Sequence, residues 1–63
     1  MILTIEETTA VYARRSGITK DFKTLADAKR FASKNHAFYG TVLNIFSDDE
    51  LIAYKSKGKW IDL

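Results

Sequence analysis

Thr24-Leu25-Ala26-Asp27-Ala28-Lys29-Arg30-Phe31-Ala32-Ser33-Lys34 is the stretch that decides the architecture. Its first residue supplies a capping hydroxyl, and Asp27, three positions on, is an acid that can reach back to the cap, so a helix starts here. At about 100° per residue, Leu25, Ala28, Ala32 and Tyr39 point one way and Phe31 and Phe38 flank them. Asp27, Lys29, Arg30, Ser33 and Lys34 take up the rest of the circumference. Two alanines in the middle of the apolar stripe carry little bulk, so the helix axis can lie close to whatever it covers. Asn35 falls near the stripe, which sets the expected helix end between Ser33 and Ala37.

On the C-terminal side, Thr41-Val42-Leu43-Asn44-Ile45-Phe46 and Glu50-Leu51-Ile52-Ala53-Tyr54-Lys55 are rich in β-branched and aromatic residues and flank Ser47-Asp48-Asp49, the pattern of a β-hairpin. On the N-terminal side, Ile2 to Ile5 reads as a strand. Thr8 to Ala13 continues in that vein until Ser16-Gly17 turns the chain. Thr4 with Glu7 offers a rival capping box for a helix over Glu6 to Arg15. Five β-branched residues between Thr4 and Val11 lose side-chain freedom in a helix and favour the strand. Ile18 to Phe22 then supplies a short partner strand. The expected fold class is α+β: a small antiparallel sheet in β-β-α-β-β order with one helix packed across one face, in a single domain over residues 1–63.

A chain of 63 residues buries only about 60% of its unfolded surface, so apolar burial and ordering entropy nearly cancel. Small domains escape that balance through disulfides, a structural metal or association. The chain has no cysteine, and a structural zinc would need four ligands drawn from the single His36 and scattered carboxylates. Association, as a homodimer or with a permanent partner, is the expectation that remains. Hydrophobic residues at 46% and charged residues at 29% exclude intrinsic disorder. A net charge of +2 is too small to nominate nucleic acid by itself. Glu6 arrives too early for a signal peptide, and no apolar run approaches the roughly 18 residues of a membrane span, so a soluble, cytoplasmic protein without a membrane partner is expected.

Catalytic chemistry needs a nucleophile, a base and a group to orient it, and these are scarce here. His36 stands where the helix should finish, a common place for histidine against terminal carbonyls. Asp48-Asp49-Glu50 suits a solvated turn and lacks the spaced ligands and glycine of a calcium loop. Gly17, Gly40 and Gly58 are isolated, so no phosphate loop exists. The expectation is a non-enzyme with no metal and no cofactor.

With Asp48-Asp49 as a two-residue loop, Leu43, Ile45, Ile52 and Tyr54 share one hairpin face and Val42, Phe46, Leu51 and Ala53 the other. One helix covers one face only, so the second apolar face needs a neighbour: the N-terminal strands, which would complete an intramolecular core, another copy of the chain, or a partner protein. Val42, Phe46 and Leu51 are therefore the expected partner-binding patch, with Tyr12 and Trp60 as aromatic anchors at its rim. The function this implies is a protein-binding module acting as an adaptor or inhibitor of a larger partner. Its size and lack of motifs suggest a phage or mobile-element modulator of host machinery. The alternative is a small basic nucleic-acid-binding protein using Arg14, Arg15, Lys55, Lys57 and Lys59, with Trp60 beside them to stack on bases. Glu6, Glu7 and Asp48 to Glu50 weigh against it by opposing phosphate.

Overall fold

Alternating apolar residues paired by two-residue turns build a single sheet in the computed structural model, which describes residues 1–8, 17–35 and 42–63. The strands are β1 (Ile2–Thr8), β2 (Ile18–Asp21), β3 (Val42–Ser47), β4 (Glu50–Ser56) and β5 (Lys59–Asp62), with α1 (Leu25–Lys34) between β2 and β3. They lie in the order β2-β1-β3-β4-β5, and every neighbouring pair is antiparallel. The fold is the expected α+β sheet with one helix, extended by a fifth strand. Glu6 to Thr8 is strand, as favoured over helix; the remainder of that segment, with Tyr12, Arg14 and Arg15, lies outside the described residues, as do His36, Phe38 and Tyr39.

The helix begins as its sequence implies. Thr24 has extended backbone angles, and its Oγ1 accepts from the Asp27 N–H at 3.2 Å. The Arg30 guanidinium pairs with Asp27 one turn earlier. Asn35 closes the helix, its N–H donating to the Ala32 carbonyl. Ala28 and Ala32 are buried against the sheet, above a core of Leu3, Ile5, Phe22, Leu43, Ile45 and Ala53, with Leu25, Phe31, Ile52 and Trp60 packed at its margin. The Phe22 and Phe31 rings meet at 5.4 Å, and the Lys20 ammonium sits 4.8 Å from the Phe31 centroid. Removing the cap with Thr24→Ala is expected to cost about 1 kcal/mol. Urea denaturation followed by circular dichroism checks this; an unchanged midpoint would mean the hydrogen bond contributes nothing.

Both C-terminal hairpins close with two residues at positive φ, the signature of a type I′ turn. Asp48 and Asp49 have φ of 49° and 67°, and Lys57 and Gly58 have 53° and 79°. Asp-Asp therefore makes the two-residue turn assumed for it, since aspartate tolerates the left-handed region better than most residues. A bulge then alters the expected register. Phe46 faces Leu51, but Ile45 faces Ala53, leaving Ile52 as the extra residue. The expected face assignment is corrected from that point: Ala53 turns into the core with Ile45, and Tyr54 turns to the opposite face with Asn44. Gly17 approaches β1 so closely that a Cβ there would lie 2.9 Å from the Ile5 carbonyl oxygen.

Candidate functional site

Opposite residues in an antiparallel pair share a face, so the register sorts the molecule into two surfaces. Leu3, Ile5, Leu43, Ile45, Ala53 and Trp60 face the helix, together with Glu7, which is fully buried. Thr4, Glu6, Thr8, Val42, Asn44, Phe46, Leu51, Tyr54 and Ile61 face the other way. β1 joins the hairpin edge to edge, so it widens the second face and does not cover it. Across β3, β4 and β5 that face carries Val42, Phe46, Leu51, Tyr54 and Ile61. Ile61 keeps 42% of its surface exposed, while Val42, Phe46, Leu51 and Tyr54 are half-buried by their neighbours. Toward β1 it becomes polar with Thr4, Glu6 and Thr8. A cleft of about 250 Å³ opens beside Phe46, lined also by Thr4, Glu6 and Asp49.

The expected trio Val42, Phe46 and Leu51 thus lies together on the face away from the helix. Trp60 does not lie at its rim. It stands opposite Lys55 on the helix side, packs against the core, and donates its indole N–H to Ser33 Oγ at 3.3 Å. Tyr54 and Ile61 join the patch instead. Tyr54 escaped sequence reasoning because the bulge that turns it over leaves no mark in the hydrophobic pattern.

A second cluster forms where the C-terminal half of α1 meets the β4–β5 hairpin. The Lys55 ammonium donates to the same Ser33 Oγ at 3.2 Å. Lys29 pairs with Asp62 and lies 6.0 Å from the Trp60 ring. Lys57 is in the turn and Lys59 follows it, and Lys34 occupies the last helical turn. Of the residues assigned to nucleic acid, Lys55, Lys57, Lys59 and Trp60 are therefore brought to one end, joined by helix residues that the sequence places in a separate group. Arg14 and Arg15 lie outside the described residues.

Among the described residues no three His, Asp or Glu side chains gather as metal ligands would, and no helix is long and apolar enough to cross a membrane. Comparison of the chain with protein-family models, with curated proteins and with solved structures finds no match.

Proposed function

We propose that this chain is a protein-binding module that docks on a larger partner through its helix-free sheet face, acting as an adaptor or an inhibitor by occupying that partner's surface. One observation carries the reading: among the described residues one helix shields one face, and the other holds Val42, Phe46, Leu51, Tyr54 and Ile61 across three strands. Phe46 and Tyr54 are the anchors, since rigid aromatic side chains dominate interface energetics. The setting this suits is the cytoplasm of a cell in which a phage or mobile-element product modulates host machinery.

The test is capture of partners from a nuclease-treated lysate by wild-type, Val42→Glu and Phe46→Glu proteins, followed by titration of the captured partner. Each substitution is expected to weaken binding by about thirtyfold or more, the loss of one interface hot spot, with the circular-dichroism spectrum unchanged. Undiminished binding by both folded variants removes the reading. Retention of a second copy of this chain alone, read as a doubled mass by light scattering, would replace the larger partner with a homodimer.

A further inference from the structure

Charge on this molecule is sorted along the strands in a way its small net value conceals. Asp48, Asp49 and Glu50 crowd the β3–β4 turn at one end. At the other end, Lys29, Arg30, Lys34, Lys55, Lys57 and Lys59 gather about the last turns of α1 and the β4–β5 hairpin. Asp27 and Asp62 answer two of these cations, Arg30 and Lys29. Among the described residues no acid pairs with Lys34, Lys55, Lys57 or Lys59. From Glu50 to Lys55 is five positions along β4, about 16 Å at about 3.3 Å per residue, roughly two Debye lengths at physiological salt. Asp48 to Glu50 are thus screened from this end, Glu7 is fully buried, and Glu6 shares the opposite sheet face with Asn44 and Tyr54.

The local hydrogen bonding also runs to donors. Ser33 Oγ accepts from both the Lys55 ammonium and the Trp60 indole N–H. With both acceptor positions taken, its own O–H is left to donate outward. The remaining donors of the Lys55 ammonium and the Ser33 hydroxyl, 3.2 Å apart, suit the oxygens of a phosphate, while the indole N–H is spent on Ser33. On the other flank of the helix, Arg30 and Lys34 wall a cleft of about 280 Å³ with Phe31 and Asn35. The outward surface of α1 is polar because Leu25, Ala28, Phe31 and Ala32 turn to the sheet, which leaves nothing to insert into a lipid surface. Lysine is depleted at protein interfaces but serves as a point charge for phosphate.

We infer that this end of the molecule is a phosphate-backbone site, with Lys34, Ser33, Lys55, Lys57 and Lys59 holding a nucleic-acid strand independently of its sequence. Lys59 lies on the helix-free face, opposite Ser56, but at the other end of the strands from Phe46, so Phe46→Glu leaves the site intact.

The experiment is fluorescence anisotropy of end-labelled single-stranded and duplex oligonucleotides with the full chain over a range of salt. Four lysines neutralising four phosphates give a slope of log affinity against log salt of about −2.8 for single strands and about −3.6 for duplex. Affinity therefore falls by about 50-fold or about 150-fold between about 50 and 200 mM salt. Lys34→Gln is expected to reduce the slope by about 0.7 to 0.9, one phosphate contact, although it lies 21 residues from Lys55. Lys55→Gln acts likewise. Lys23→Gln, at the other end of the helix, leaves the slope unchanged and controls for general loss of charge. Absence of binding at about 50 mM salt, or equal slope losses from Lys23 and Lys34, overturns the inference. Binding to poly-glutamate as tight as to the oligonucleotides also overturns it, in favour of an acidic protein.

Discussion

Ile45→Ala is expected to destabilise the chain by about 3 to 4 kcal/mol, the usual loss for an aliphatic side chain removed from a core that cannot collapse around it. Ile45 is fully buried on β3, the central strand, facing Ile5 on one neighbour and Ala53 on the other. Ala53 is too small to fill the gap. A domain of this size has only about 3 to 9 kcal/mol to lose. With a urea dependence of about 1 kcal/mol/M for so small a protein, the midpoint should fall by roughly 3 M, leaving a large unfolded fraction in water. Phe46→Ala, one residue on but across the sheet, should cost far less because that side chain is only half-buried. A reversed order would place the core on the wrong face and remove the basis for the proposed docking surface.

Ala28→Leu tests how closely the helix lies on the sheet. Leucine and alanine differ little in helix propensity, so any large loss comes from the contact and not from the helix itself. Ala28 is fully buried, and adding three carbons there should overpack the layer between α1 and the sheet, at a cost of about 1 to 3 kcal/mol or more. Ala26→Leu, two residues earlier and exposed, should stay within about 0.5 kcal/mol of wild type. The same displacement would pull Ser33 away from Lys55 and Trp60, so a shift in Trp60 fluorescence should accompany the Ala28 change and be absent from the Ala26 change. Equal stability of the two variants would show that the helix does not rest on its alanines.

Several features of this fold were legible residue by residue. The Thr24 cap, the alanine stripe, the strand of Ile2 to Ile5 and its partner at Ile18, and the turn at Asp48-Asp49 each depend on groups within a few positions of one another. The fifth strand was not, because Lys59 to Asp62 holds only two apolar residues and is too short for alternation to stand out. The patch of Val42, Phe46 and Leu51 followed from simple alternation. Its remaining members did not, since Ile52 occupies a bulge that reverses Ala53 and Tyr54.

Local chemistry in the sequence alone therefore determined that one amphipathic helix would cover one face of an antiparallel sheet, and that the hairpin would carry apolar residues on both faces. Tertiary structure alone decided which residues share that face and where the charges collect. Register depends on a single inserted residue whose effect is read only across a pair of strands. The meeting of Ser33 with Lys55 and Trp60 depends on the helix crossing the sheet, and charges carry no period that would announce such a meeting along the chain.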